Sequence, residues 1–331
     1  MRVGMLINDF ASLKASQTTA MLIDGFAKVS EQTYVFDVGA LRAEQSAGVC
    51  ALARIADKAS LDVHTQTAYL KQGPGHDGQH THEDDLSLAS LDLVVIRTNP
   101  ARGKRDGAHT AALELLAGAA HAGLRVINDP IGLMRCRSKL CLSQLPKETI
   151  PVTLIAQDAG PIIDFVSAAP GPCVLKPASG TRGQDVFKVD ASSENLNAIV
   201  SAVLSQGYVI AQHFVPEAVN GDTRVVVLDG NALAIDGSYA AIRRIPSGRD
   251  FRSNIHVGGR AAPGIVTPGM LRVIDLTRPL LKALGLRLVG LDFIGELLCE
   301  INVFATGGLR DAEKFTNAPF TQHIVDSFMS E

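Results

Sequence analysis

Residues 290 to 308 read GLDFIGELLCEINVFATGG, two apolar segments on either side of Gly295 and Glu296, into which Asp292, Glu300 and Asn302 insert oxygen-bearing side chains. A buried carboxylate is costly unless it is paired or bound to a cation. These segments therefore need a sheet that brings partners to the polar residues. Hard oxygen donors of this kind suit Mg²⁺. Glu300 and Asn302 are two apart and share one face of a strand, with Ile301 turned the other way, so Asp292 has to join them from the neighbouring strand. A two-residue turn at Gly295 and Glu296 would set Asp292 opposite Cys299 and leave Glu300 on the wrong face. A three-residue loop centred on Glu296 sets Asp292 opposite Glu300. The spacing predicts the longer, bulged turn. The plainer alternative is a pair of edge strands whose polar residues face water.

A second motif, VLKPASGTRGQDVFKV at residues 174 to 189, puts Lys176 at the end of an apolar strand, then a loop with Gly180, Thr181 and Gly183, then another apolar strand. Glycines let backbone amides approach phosphate oxygens, and a lysine supplies a point charge to the same group. The expected role is a cover over ATP phosphates, against the alternative of an ordinary hairpin turn with a surface lysine. The pattern is neither a Walker loop nor a dinucleotide fingerprint.

Between the two motifs lies a run of cations: Arg224, Arg243 and Arg244, then Arg252, Asn254, Gly258, Gly259 and Arg260. Arginine forks bind carboxylate and phosphate in bidentate fashion and stabilise charge that develops during phosphoryl transfer. Solvated strand ends would explain any one of these arginines, but poorly explain the group.

The bulk properties narrow the class. At 331 residues and 46% hydrophobic, the chain can bury a sizeable core in two or three units of about 100 to 200 residues each. A formal charge of −3 offers no broad cationic surface, so neither nucleic acid nor an anionic membrane is an expected partner. The start carries no secretory pattern, and no apolar run approaches the roughly 20 residues of a membrane span. Five cysteines without a C-x-x-C pair are expected to be reduced thiols in a cytoplasmic protein. His76, His80 and His82 lie in a Gly-rich tract, residues 71 to 85. That tract is expected to be an irregular surface loop rather than a transition-metal site.

Strand patterns at Val3–Ile7, Tyr34–Val38, Asp92–Ile96 and Leu124–Ile127 alternate with helix patterns at Thr18–Lys28 and His109–Ala122, which predicts a mostly parallel sheet. Prolines punctuate short segments from Pro130 to Pro172, and alternating β segments then dominate to about residue 260. Met270–Leu284 and Phe320–Phe328 carry helix patterns.

The order of NDPIGLMRCRSKL with Lys139, VLKPASGTRG with Lys176, VIAQHFVPEAVNGDTRVVVLDG, RRIPSGRDFRSNIHVGG and VGLDFIGELLCEINV resembles the bacterial glutathione synthetases. The similarity runs from about Ser16 to Arg310. The resemblance implies an α/β plus α+β architecture, the ATP-grasp fold: an N-terminal doubly wound α/β domain (1–128), a lid subdomain (129–212) and a C-terminal catalytic subdomain with a mixed sheet (213–331). It implies that Lys139 and Lys176 contact ATP phosphates, that Gln212, His213, Phe214 and Val215 hold the adenine, and that Asp222 meets the ribose. Asp292, Glu300 and Asn302 would bind two magnesium ions, for which manganese can substitute. Arg224 and Arg244 would sit near the reacting phosphoryl group, and Arg252, Asn254, Gly258 and Gly259 would line the acyl-phosphate site.

Two stretches depart from the family pattern. CEINVFATGG replaces T-E-I-N-V followed by Ser-Pro-Thr-Gly, with Phe304 and Ala305 in the altered turn. Arg97, Thr98, Asn99, Pro100 and Ala101 stand where the family has Arg-Lys-Asp-Pro-Pro. In the family both stretches border the substrate pocket. The expected activity is ATP-dependent joining of a carboxylate to an amine through an acyl phosphate, with γ-glutamylcysteine and glycine as the pair the resemblance implies. The expected partners are small amino acids or dipeptides, in a homo-oligomeric enzyme. Alternatives are a related ligase that joins other amino acids or modifies a protein terminus, and a nucleotide-binding module without turnover.

Overall fold

Short apolar runs covered on both faces form parallel strands, and the first third of the chain is built on them. In the computed structural model, which describes residues 1–73, 82–100, 106–179, 185–246 and 260–330, the first sheet comprises β1 (Arg2–Ile7), β2 (Gln32–Asp37), β3 (Leu41–Glu44), β4 (Gly48–Ile55), β5 (Glu83–Ser87), β6 (Leu93–Ile96) and β7 (Arg125–Ile127). Their order is β3-β4-β2-β1-β6-β7, with β5 beside β4. Strands β2, β1, β6 and β7 pair in parallel. Strand β4 adds antiparallel pairs with β2, β3 and β5. Helices α1 (Thr18–Val29), α2 (Val63–Gln72), α3 (Asp106–His121) and α4 (Pro130–Arg135) belong to the same part of the chain.

The tract 71–85 was expected to be loop throughout. Instead α2 runs to Gln72 and β5 begins at Glu83. Helix α2 buries only Gln66, Thr67 and Leu70, so its sequence carries little apolar period. Strand β5 is acidic because it lies at a ladder where Glu83 faces Arg54, with an ion pair of 3.0 Å. His82 is exposed. His76 and His80 lie outside the described residues, as does Ala101.

The second sheet is antiparallel, ordered β10-β9-β11-β8, from β8 (Thr153–Ala156), β9 (Cys173–Pro177), β10 (Phe187–Val189) and β11 (Val209–His213). Helices α5 (Ala159–Ala168) and α6 (Leu196–Leu204) cover one face. Ile162, Val166, Val200 and Val203 pack there on Cys173, Leu175, Val189, Val209 and Ala211 in a separate core. The prolines were expected only to punctuate short segments here. Pro161, however, sits in the first turn of α5, where no intrahelical N–H is needed, and Asp158 caps that helix through Gly160 N at 3.0 Å.

The third sheet contains β12 (Asp222–Leu228), β13 (Asn231–Ala232), β16 (Ala241–Ile245), β17 (Arg260–Pro263), β18 (Leu288–Ile294) and β19 (Leu297–Asn302). It is antiparallel in the order β17-β16-β12-β18-β19, and a two-stranded hairpin of β14 (Ala234–Ile235) and β15 (Ser238–Tyr239) lies beside it in sequence. Helices α7 (Pro268–Ala283), α8 (Leu309–Thr316) and α9 (Phe320–Met329) complete the fold. Helix α8 was not anticipated from the sequence.

Two cores knit the first and third sheets together. One joins Leu6, Phe36, Val94 and α3 residues Leu113 and Leu116 to Val225, Val289, Phe293 and the α7 residues Met270, Ile274 and Leu281. The other joins Val3, Met5 and α1 residue Phe26 to Val226, Leu228, Ile242 and the α9 residues Phe320 and Phe328. Asn128 stitches the same junction with its amide. Nδ2 donates to Leu288 O at 2.9 Å, and Oδ1 accepts from Leu288 N at 2.9 Å and Arg287 N at 2.9 Å. No helix among the described residues is long and apolar enough to cross a membrane.

Candidate active site

Period-two alternation puts the polar residues of the third sheet on one face. Asp222 pairs with Arg244, and Arg224 with Ile242 and with Asp292. Asp292 in turn faces Glu300, and Gly290 faces Asn302. The odd-numbered residues Val225, Val289, Leu291 and Phe293 turn to the α7 core. Asp292 is opposite Glu300 as the spacing required, but by a different device. Ile294 pairs with Leu297 and Phe293 with Leu298, so the turn has only the two residues Gly295 and Glu296, and the register shifts just beyond them. Cys299 is the extra residue, a β-bulge within β19. The bulge lets Leu298 and Ile301 both reach the α7 core while Glu300 and Asn302 keep the polar face. Gly290 leaves room for the chain beyond β19, since a Cβ there would lie 2.2 Å from Thr306 Oγ1.

The face is crowded with compensated charge. Arg224 donates from Nε and Nη2 to the two oxygens of Asp292, both at 2.7 Å. Arg244 reaches Asp292 Oδ2 at 2.6 Å and grips Asp222 through Nε at 3.0 Å and through Nη2. Asn302 Nδ2 donates to Asp292 Oδ2 at 2.9 Å. Burial by itself would raise the Asp292 carboxyl, but the Arg224 and Arg244 guanidiniums outweigh it and hold the group at about 2. Arg243, on the opposite face, donates to Asn220 O at 3.1 and 3.0 Å and stays outside this cluster. Asp222, expected at the ribose, is clasped by Arg244 in this arrangement.

The second sheet and the chain before it contribute the lysines. On β9, Cys173 and Leu175 turn to the helices, so Lys176 points from the other face and donates to Gln212 Oε1 at 3.2 Å. Gln212 Nε2 donates to Thr153 Oγ1 at 2.8 Å. Lys139 opens a 3-10 turn (Lys139–Gln144) and lies 3.9 Å from Glu300 Oε1. Burial lowers the Lys139 ammonium below the ordinary lysine range, Glu300 pulls it back, and nearby Lys176 lowers it further. Cys299 faces the same gap, and burial pushes its thiol up to about 12 against the pull of Lys176. It is therefore protonated near neutrality. The His213 ring packs on Phe165 of α5, 5.2 Å between centroids. Lys188 Nζ lies 3.9 Å from the Phe214 ring centre. Val215 starts the short turn Pro216–Asn220 that leads into β12.

A cavity of about 90 Å³ adjoins these groups, lined by Lys139, Glu300, Asn302, Asn99, Pro100 and Phe304 among others. Asn99 and Pro100 follow β6 at the carboxyl ends of the parallel strands β1 and β6, the usual place for a ligand in such a sheet. The two stretches that depart from the family pattern meet here. Arg97 Nη2 donates to Thr306 O at 2.7 Å. Thr98 Oγ1 and His109 Nε2 share a 2.8 Å hydrogen bond, and the His109 ring meets Phe304 edge-on at 5.3 Å. Sequence reasoning used His109 only as the start of a helix. Its spacing from Ala112, Leu113 and Leu116 marks it as a core-facing histidine, since residues at i, i+3, i+4 and i+7 share a helix face. Gly180, Thr181, Gly183, Arg252, Asn254, Gly258 and Gly259 lie outside the described residues.

Among the described residues no three His, Cys, Asp or Glu side chains are gathered for a metal. The available set is two carboxylates and one amide, Asp292, Glu300 and Asn302, hard donors of the type Mg²⁺ takes. Glu300 is half-exposed, whereas Asp292 already accepts from two guanidiniums and Asn302.

Two models of one family match successive parts of the chain. Residues 1–134 match the N-terminal domain of prokaryotic glutathione synthetase, and residues 138–317 match its ATP-grasp domain. The chain is 30% identical over 330 residues to the glutathione synthetase of Vibrio cholerae serotype O1, covering 98% of this chain and 96% of that protein. It is 31% identical over 266 residues to that of Escherichia coli K12, covering 80% and 81%. Among solved structures it superposes on the D-cycloserine synthetase DcsG with TM-score 0.63 at 18% identity, covering 98% and 99%. The ATP-grasp ligase PsnB with its minimal precursor gives TM-score 0.61 at 20% identity, covering 99% and 98%.

Proposed function

The chain belongs to the prokaryotic glutathione synthetase family, and from that premise we propose that this ATP-dependent ligase joins γ-glutamylcysteine to glycine. Family membership carries the use of ATP, a divalent metal and small-molecule substrates. The observation behind the residue roles is the meeting of two sets of groups. Lys139 and Lys176 approach from one side, and Arg224, Arg244, Asp292, Glu300 and Asn302 from the other.

In this reading the second sheet and its helices act as a lid (129–212) over ATP, between an N-terminal substrate domain (1–128) and the catalytic domain (213–331). Lys139 and Lys176 hold phosphate oxygens, the segment Gln212 to Val215 holds the adenine and Asp222 the ribose. Gly180, Thr181 and Gly183 cover the phosphates. Glu300 and Asn302, joined by Asp292 once it turns from its arginines, would hold two magnesium or manganese ions. When bound, these ions offset phosphate charge. The acid's carboxylate attacks the γ-phosphate, giving an acyl phosphate and ADP. Arg224 and Arg244 stabilise the charge that develops, with Arg252, Asn254, Gly258 and Gly259 around the acyl phosphate. The substrate amine then attacks the acyl carbon and phosphate leaves, so amide, ADP and phosphate are the products. The enzyme would work as a cytoplasmic homo-oligomer.

A second reading, a ligase for a different amino acid, dipeptide or protein terminus, is favoured by the neutral Asn99 and Phe304 that line the cavity, in stretches that depart from the family pattern. The discriminating experiment is phosphate release from ATP and Mg²⁺ with γ-glutamylcysteine and glycine, beside a panel of other acids and amines and beside Glu300→Ala. Release with the named pair that disappears in the variant supports the first reading. Release with another pair alone transfers the function to that pair. No release with any pair would leave only nucleotide binding.

A further inference from the structure

One cation on the cavity wall has no part in the roles assigned above. Among the described residues that line the cavity, Arg137, Lys139 and Glu300 carry charge. Lys139 and Glu300 lie 3.9 Å apart and are taken by ATP and metal in the proposed reaction. Arg137 stands in the link between α4 and the turn that Lys139 opens, and it is held from the first turn of α3. Its Nη1 donates to Thr110 Oγ1 at 2.8 Å and its Nη2 to Asp106 Oδ2. The Thr110 hydroxyl donates its own proton to Asp106 O at 3.0 Å, so a lone pair is left for the guanidinium. Next to Thr110 on α3 is His109, bonded to Thr98 and packed on Phe304. Arg137 is thus fixed at the corner where Asn99 and Phe304 reach the same cavity.

Such fixing is more than stability requires. The Arg137 and Asp106 side chains are 38% and 62% exposed, and an exposed ion pair contributes little to a fold. A guanidinium also has more N–H groups than these two bonds use, and among the described residues no further hydrogen bond takes the rest. A planar fork with spare donors matches a carboxylate in both shape and charge. We propose that Arg137 is a specificity-determining residue, which binds a substrate carboxylate other than the one being joined. The inference rests on the ligase reading and adds a group that a substrate must carry. In the proposed pair that group is either the carboxylate of glycine or the α-carboxylate of the glutamyl residue.

The test is steady-state kinetics of the full-length enzyme with ATP and Mg²⁺, the parent beside Arg137→Ala and Arg137→Lys. The pairs compared are γ-glutamylcysteine with glycine, γ-glutamylcysteine with glycinamide, and γ-aminobutyryl-cysteine, which lacks the glutamyl carboxylate, with glycine. The parent should lose about tenfold to a hundredfold in kcat/KM when the recognised carboxylate is missing, the usual range for a charged hydrogen bond. Arg137→Ala should lose the same factor with the full pair, in the KM of the substrate that carries the carboxylate, and nothing further with the analogue. Arg137→Lys should recover part of the preference. A preference that collapses on the glycinamide arm assigns the carboxylate to the amine, and one that collapses on the aminobutyryl arm assigns it to the acid. A residue that merely braces α3 would lower all pairs alike and leave the preferences intact. That result overturns the proposal, as does a parent indifferent to both analogues. If Arg137→Ala does not fold, Arg137→Gln gives the same comparison. A parent inactive with the first pair refutes the proposed substrates and this inference together, whereas an active parent whose preferences survive in the variants refutes the inference alone.

Discussion

Arg224 holds Asp292 with a two-pronged fork, Nε on Oδ1 and Nη2 on Oδ2, each at 2.7 Å. With Arg244 and Asp222 the fork forms a buried cluster of two cations and two anions. Replacing Asp292 by Asn keeps the shape and strands one positive charge. Removing one partner of a buried pair costs about 3 to 5 kcal/mol, so Asp292→Asn should lose that much in urea unfolding without nucleotide. The loss has a pH window. Asp292 is held at about 2 in the fold, below its unfolded value near 4. Its contribution is therefore complete above about pH 4 and fades as pH falls towards 2. A difference between parent and variant that persists unchanged at pH 2 would contradict the pairing.

Lys139→Met should separate function from stability. Burial disfavours the charge on Lys139, Glu300 partly offsets this and Lys176 adds to it, so the apolar variant should unfold near the temperature of the parent. Its kcat should drop on the order of a hundredfold, the usual effect of removing one preorganised charged donor. A variant that is unstable and fully active would reverse the assignment.

His109 is 1% exposed, and its ring Nδ1 has no hydrogen-bond partner among the described residues. Burial lowers its pKa to about 4, with Arg137 adding to the fall and Asp106 opposing it. A histidine with a depressed folded pKa takes up a proton on unfolding. Its presence therefore costs stability progressively as pH falls from about 6.5 towards 4, and nothing above that window. Melting temperatures measured across this range should fall more steeply for the parent than for His109→Gln. Parallel curves would exclude the effect.

Asn128→Ala deletes the amide that binds both backbone groups of Leu288. Buried N–H and C=O groups lose their partners, at a cost of about 3 kcal/mol in chemical denaturation. Asn128→Asp restores the acceptor but not the donor and should fall between. An alanine variant within experimental error of the parent would mean that other groups close the junction.

Part of the polar face of the third sheet was legible in the sequence because strands keep a period of two, so Glu300 and Asn302 declared a common side; that Asp222 and Arg224 share it follows from the pairing of β12 with β16 and β18. The need for Asp292 to face Glu300 was legible too. The bulge at Cys299 was not, since turn length and bulge position give the same final register and only the packing of Leu298 and Ile301 distinguishes them. Helix α2 escaped notice because its buried side is largely Gln66 and Thr67, and α5 because Pro161 was read as a breaker rather than a first-turn residue. The contact of Phe304 with His109 joins residues far apart in sequence, and no local pattern announces it.

The core of the second sheet closes on itself, whereas the other two cores each take side chains from both the first and the third sheet. Parting the first sheet from the third would expose both shared cores at once. Swinging the second sheet and its helices away exposes neither. The molecule is therefore mechanically two bodies built from three sheets. Amide hydrogen exchange should follow that partition, with the second sheet opening as a cooperative unit of its own. A nucleotide bound to both bodies would act as a removable crosslink, slowing exchange in the second sheet most.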